Sequence, residues 1–135
     1  MAEALLEVEG LSVRYASNRG PLLAVDDASF SIPRGRALGL VGESGSGKST
    51  ILLALLGLLG SEATVTARKA EFLGQDLAEA SPRLRGDRIG VVFQDAGAAL
   101  NPALTVGLQI AEPLIVHRGL VRCRLDRNNR LSPPS

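Results

Sequence analysis

The stretch Gly42-Glu43-Ser44-Gly45-Ser46-Gly47-Lys48-Ser49 constrains this chain more than any other. It fills every fixed position of the pattern G-x-x-x-x-G-K-[ST]. Gly42, Gly45 and Gly47 let the backbone bend tightly and approach an anion with no Cβ in the way. Successive backbone N–H groups then turn inward and form a nest for phosphate oxygens. The flanks supply the context that such a loop needs. Ahead of it, Ala37-Leu38-Gly39-Leu40-Val41 is a continuous apolar run, expected as a strand buried on both faces. Behind it, Lys48 to Leu59 is expected as a helix about 18 Å long, apolar nearly all round and therefore buried. Strand, glycine loop and helix open an α/β unit with a parallel sheet. At the start of that helix Lys48 can reach terminal phosphates as a point charge, and the Ser49 hydroxyl can ligate a bridging Mg²⁺.

The remaining segments place this unit in a larger pattern. Leu6 to Glu9 and Leu11 to Tyr15 alternate apolar and polar residues, as does Ala28 to Ile32, and each reads as a half-buried strand. Ser17 to Pro21 and Pro33 to Arg36 read as turns, so the front third is expected to be antiparallel with one wet face. Thr64 to Leu73 reads as a strand. Ser81 is expected to cap a short helix with Pro82 in its first turn. Ile89-Gly90-Val91-Val92-Phe93 is a second candidate for a buried strand. Thr105 to His117 shows helical spacing limited by Pro113.

Composition excludes several classes. The 135 residues are 45% apolar and 21% charged, as in a folded chain and not a disordered one. The net charge of +1 argues against a nucleic-acid binder held by a basic face. One Cys (Cys123) and one His (His117) exclude a disulfide within the chain and a Cys- or His-built metal site. The run Ile51 to Leu59 is too short to span a bilayer, and the first residues have no basic, apolar leader, so a cytoplasmic chain is expected. Arg83, Arg85 and Arg88 read as a wet face. Asp87-Arg88-Ile89-Gly90 matches D-x-x-G by letter, but its Asp precedes a strand instead of ending one.

Four blocks resemble the ATP-binding subunits of ABC transporters. They are Val8 to Tyr15, the loop with its flanks from Gly39 to Thr50, Ile89-Gly90-Val91-Val92-Phe93-Gln94-Asp95, and Leu100 to Gly107. The Leu100-Asn101-Pro102 segment, with Gln109 to Leu114 behind it, resembles the dipeptide, oligopeptide and nickel importer branch. The resemblance implies an ABC-type P-loop NTPase, an antiparallel β front plus a parallel core sheet with helices. It implies ATP and Mg²⁺ held by the Walker A residues Gly42, Glu43, Ser44, Gly45, Ser46, Gly47, Lys48, Ser49 and Thr50. Tyr15 would stack on adenine. Gln94 would sense Mg²⁺ and the γ-phosphate through its amide, with Lys48 and Gln94 serving catalysis and Ser49 and Gln94 the metal. The implied partners are membrane-spanning permease subunits and a second ATP-binding subunit, with no nucleic acid, at the cytoplasmic face of the plasma membrane. The implied activity is ATP hydrolysis coupled to import of peptides or nickel.

The family's later motifs do not occur in these 135 residues: a Leu-Ser-Gly-Gly-Gln signature, an apolar strand ending Asp-Glu, and a switch histidine. His117 is not that histidine. The helical subdomain is thus expected to be incomplete, and the chain alone is expected to bind nucleotide weakly and turn it over poorly or not at all. Residues 1–119 are read as the amino-terminal part of an ABC ATP-binding domain. Residues 120–135 are read as an aberrant, disordered tail, because 118–135 hold five Arg against one acid and show no helical or strand period. A frameshift, a degraded gene or a sequencing error would produce such text, and a genuine divergent terminus is the alternative. Two alternatives stay open: a nucleotide-binding or non-catalytic fragment of such a subunit, the latter docking on the full-length subunit or the membrane partner, and a P-loop kinase of a small substrate.

Overall fold

A computed structural model describes residues 4–18, 20–118, 124–125 and 131–132. By contact the chain divides into two units, Met1–Pro82 and Arg83–Ser135.

The first unit is built on one long strand, β1 (Ala4–Tyr15), and its hairpin partner β2 (Leu22–Pro33). Gly10 makes β1 continuous where the alternation of the sequence breaks. It has φ 64°, and the register with β2 shifts between Val8 and Leu11. A one-residue bulge there flips the alternation, which returns Leu11 and Val13 to the face already occupied by Val8. Among the described residues those three side chains are the most buried, at 1%, 1% and 0% exposure. The other edge of β1 is covered in two pieces. β3 (Ala63–Thr66) pairs with Ser12 to Tyr15, and β4 (Lys69–Phe72) pairs with Leu6 to Glu9. The break at Ala67 and Arg68 lies opposite the bulge, where the Arg68 N–H donates to the Glu9 carbonyl at 2.9 Å. The single strand expected over 64–73 is therefore two. β5 (Gln75–Asp76) adds the last antiparallel pairing of this sheet.

Helix α1 (Lys48–Leu55) is shorter than its sequence suggests. Gly57 adopts φ 61° after the C-cap Leu56. Its N–H donates to Ala54 O at 3.0 Å and the Leu58 N–H donates to Leu53 O at 2.9 Å. This pair of bonds is a Schellman stop, which Gly57 permits and which ends the helix before Leu59. No residue of α1 itself is fully buried, against the expectation of an all-round buried helix; only the capping Leu56 is. Helix α2 (Leu77–Leu84) also corrects the sequence reading. Its cap is Asp76, whose Oδ1 accepts from the Ala78 N–H at 2.7 Å, and Ser81 lies buried inside the helix with Pro82 beyond it.

The two apolar runs expected to form a parallel core do not form strands among the described residues. Ala37–Val41 is irregular, with Leu38, Leu40 and Val41 exposed. Ile89 makes an isolated parallel bridge to Arg85, while Val91, Val92 and Phe93 are exposed. A strand needs a hydrogen-bonded neighbour along its length, and among the described residues neither run has more than that one bridge.

In the second unit, α3 (Ala96–Ala99) is one turn long and α4 (Val106–Arg118) continues through Pro113. Thr105 starts α4: its carbonyl accepts from the Gln109 N–H at 3.2 Å, and its Oγ1 from the Leu108 N–H at 3.3 Å. Asp87 takes an ion pair from Arg118 at 3.5 Å. In the tail, β6 (Arg124–Leu125) pairs antiparallel with β7 (Leu131–Ser132), where the sequence showed no strand period. The expected boundary at 119–120, Cys123 and the rest of the tail lie outside the described residues. No helix among the described residues is long and apolar enough to cross a membrane.

Candidate nucleotide-binding site

The glycine loop is pinned to the sheet at its carboxyl end. In the hairpin Val13 faces Val25 and Arg14 faces Leu23, which leaves Ala24 bulged out of register. A Cβ on Gly47 would lie 2.6 Å from the Ala24 carbonyl oxygen and 3.4 Å from Val25 Cγ2. Gly47 also sits at φ 87° as the N-cap of α1. Glycine is thus required there twice over, by the left-handed backbone and by the close approach. The helix then starts at a fixed point on the sheet, with the Ile51 N–H donating to Gly47 O at 2.9 Å.

That start is suited to an anion. No side chain among the described residues caps the first turn of α1, and the turn holds no acid. The amino end presents N–H groups without intrahelical acceptors and a partial charge of about +0.5. Lys48 folds back over the loop. Its Nζ donates to Glu43 O at 2.6 Å, to Gly42 O at 2.8 Å and to Ser46 Oγ at 3.0 Å. The Ser46 N–H donates to Glu43 O at 3.2 Å and closes the turn. At Gly45, φ is 81° and a Cβ would meet nothing within 4 Å, so the curve of the loop is open on that side. Glu43, Ser44, Ser46 and Ser49 are exposed, and Lys48 and Thr50 half-buried. An ammonium group, a helix amino end and a hydroxyl on the first turn make a donor set that fits a Mg²⁺-bound polyphosphate. Lys48 and the loop amides would take the phosphates, and Ser49 the cation.

Tyr15 ends β1 where three strands meet, opposite Leu22 of β2 and Ala63 of β3, and is half-buried. β2 links it to the loop: Leu22 faces Tyr15 and, two residues on, Ala24 touches Gly47, a span of roughly 7 Å along the strand. The hairpin thus places Tyr15 and the loop at the same end of the sheet. Gln94 lies in the second unit. It is exposed, and with Phe93, Asp95 and Ala99 it lines an open recess of about 460 Å³. Asp95 Oδ1 accepts from the Gly97 N–H at 3.1 Å and orders the chain just after Gln94.

Two structural roles escape sequence reading, one under the loop and one in the second unit. Ala24 supports Gly47 only through a bulge, which an alternating pattern does not reveal. Gln109 clasps the Leu100 to Leu104 segment. Its Oε1 accepts from the Asn101 N–H at 2.8 Å, and its Nε2 donates to Asn101 O at 3.0 Å and Leu104 O at 3.1 Å. Asn101 Oδ1 in turn accepts from the Ala103 N–H at 2.9 Å. The sequence signal for this clasp was the Asn-Pro turn running into a helix start, with Gln109 in the first turn beyond it.

The loop, the helix it opens and the sheet beneath it define a P-loop nucleotide-binding fold. The sequence pattern of ABC transporter ATP-binding domains, described as "ABC transporter", matches residues 25–131, so the chain belongs to that family and its fold is the ABC type of P-loop NTPase. The match runs past Gly119 into the arginine-rich tail. The chain is 46% identical to the dipeptide transport ATP-binding protein of Escherichia coli, over 86% of this chain and 37% of that protein. It is 42% identical to the Haemophilus influenzae protein of the same name, over 95% and 40% respectively. With the oligopeptide transport ATP-binding protein of Salmonella typhimurium it shares 41% identity, over 88% and 36%. The chain therefore spans between a third and two-fifths of the length of these curated relatives.

Proposed function

We propose that this chain carries the nucleotide-binding front of an ATP-binding, energy-coupling subunit of an ABC importer for peptides. Peptides are taken over nickel because the relatives reported above are named for dipeptide and oligopeptide transport. The observation that carries the reading is the Lys48 ammonium held inside the Gly42–Ser49 loop at the amino end of α1. Lys48 and the loop amides bind the β- and γ-phosphates, Ser49 takes the Mg²⁺, and Tyr15 packs against the base. Gln94 is assigned the sensing of Mg²⁺ and the γ-phosphate in this reading. Bound Mg²⁺ supplies charge neutralisation between the phosphates. Hydrolysis, docking on permease subunits at the cytoplasmic face of the membrane and pairing with a second ATP-binding subunit belong to the whole subunit in this reading.

The test is equilibrium binding of a fluorescent ATP analogue to the 135-residue chain with and without Mg²⁺. Saturable binding that strengthens with Mg²⁺ and falls by one to two orders of magnitude in Lys48→Ala is the expected result. Binding that is absent, or indifferent to Lys48, would sink the proposal.

A further inference from the structure

A lysine ammonium has three N–H donors, and Lys48 spends all three inside its own loop. Two go to main-chain carbonyls, Glu43 O at 2.6 Å and Gly42 O at 2.8 Å. The third goes to the Ser46 hydroxyl at 3.0 Å. A phosphate oxygen that binds Lys48 must therefore displace one of these acceptors. The carbonyls are poor candidates. Both bonds are shorter, both acceptors are fixed by the loop's backbone, and Glu43 O also accepts from the Ser46 N–H at 3.2 Å. Ser46 Oγ is the longest partner, sits on an exposed side chain and moves by a single χ1 rotation with no backbone change. It also lies over Gly42, where a Cβ would come within 2.7 Å of it, on the inner side of the loop.

From this donor count we propose that Ser46 is a positioning residue that holds the Lys48 ammonium and is exchanged for a phosphate oxygen when nucleotide binds. The inference rests on the nucleotide-binding reading above and adds a role for Ser46 within it. Its hydroxyl keeps the ammonium satisfied and aimed across the loop, and each binding event must break that bond. Removing the hydroxyl therefore favours the bound arrangement, whereas a residue that merely shaped the loop would weaken binding when removed.

The experiment compares the full chain with Ser46→Ala and Ser46→Thr. Affinity for the fluorescent ATP analogue in Mg²⁺ is one readout. The second is the rate at which an amine-reactive reagent labels Lys48 in nucleotide-free protein, followed by mass spectrometry. Lys69, the other lysine of the sequence, serves as the internal reference. Ser46→Ala is expected to bind about threefold tighter and to label several-fold faster at Lys48, with Lys69 unchanged. Ser46→Thr retains the hydroxyl and is expected to return both values to those of the parent. Unchanged or weaker binding by Ser46→Ala, or unchanged Lys48 labelling, overturns the role of Ser46 and leaves the nucleotide reading intact. Failure of the parent chain to bind the analogue overturns both.

Discussion

β1 and the run Ala37–Val41 are both rich in Leu and Val, yet Val13 is 0% exposed and Val41 is 97% exposed. The run Ile89–Phe93 repeats the contrast, with Val92 at 96%. Apolar character says that a segment gains by burial; it does not say what covers it. β1 finds its neighbours nearby. β2 follows after one turn, and β3 and β4 lie within the next forty residues and pair antiparallel along its other edge. A run buried on both faces calls for parallel neighbours and helices on either side, and parallel neighbours come only through long crossovers. The described residues provide such a run with a single parallel bridge, Arg85 to Ile89. Local pairing thus settles the hairpin sheet, while the two runs depend on partners distant in sequence.

The sharpest way to break this contrast is to place the same charge in both settings. Val13→Asp puts an unpartnered carboxylate into the middle of the sheet core. It is expected to cost more than about 3 kcal/mol and to abolish cooperative urea unfolding of the chain. Val92→Asp adds a carboxylate to a side chain already in water and is expected to move the unfolding midpoint by less than about 0.5 kcal/mol. Equal damage from the two substitutions would show that the Ile89–Phe93 run is packed in solution, and the contrast would fall.

A smaller effect compares two glycines of the loop. Both have left-handed φ, 81° at Gly45 and 87° at Gly47, but only Gly47 also approaches the sheet backbone. Gly45→Ala carries the conformational cost alone, on the order of 1 kcal/mol. Gly47→Ala adds a 2.6 Å clash with Ala24 O and is expected to cost about 2–3 kcal/mol and to loosen the start of α1. Thermal unfolding of the two variants, with ATP-analogue binding as a second readout, measures the difference. Equal costs would show that the Ala24 contact does not anchor the loop.

How far the sequence could be read follows the same division. The loop from Gly42 to Ser49 was legible because each residue type has its own reason to be there, and the loop does open a helix. The hairpin was legible because alternation is a local signal; even its interruption at Gly10 was visible, though its meaning as a bulge was not. Gly57 marked the stop of α1, yet the apolar residues on either side hid it. The cap of α2 was misplaced because Ser81-Pro82 imitates a helix start, while Asp76, which makes the bond, sits at a strand end. What stayed illegible is tertiary: the exposure of Val41 and Val92, the bulge at Ala24 beneath Gly47, and the three bonds of Gln109. Each depends on which segment comes alongside, a property no short window of sequence carries.

The smallest expected effect concerns the half-buried charged face of the hairpin sheet and what it adds to the buried one. Glu7 on β1 stands directly opposite Glu71 on β4, an arrangement of like charges that disfavours pairing. Lys69 lies diagonal to Glu7 and reaches both carboxylates, at 2.7 Å from Glu7 and 3.5 Å from Glu71. The hydrogen bond to Glu7 raises the Lys69 pKa above its ordinary 10.5, partial desolvation opposes that, and the charges of Glu7 and Glu71 add to the rise. A lysine whose pKa is higher folded than unfolded contributes stability that is fully present below the unfolded value. That contribution is lost as pH climbs through the folded one. The chain is therefore expected to lose a small part of its stability only above about pH 10, beyond the change common to all its other groups. Urea midpoints measured from pH 8 to pH 11.5 for the parent and for Glu7→Gln check this. The variant removes both the opposed carboxylate and the main cause of the shift, so its alkaline decline should be shallower. Parallel pH profiles would show that Lys69 contributes nothing to the sheet, and that the stability of β1 comes from its buried face and its backbone ladder alone.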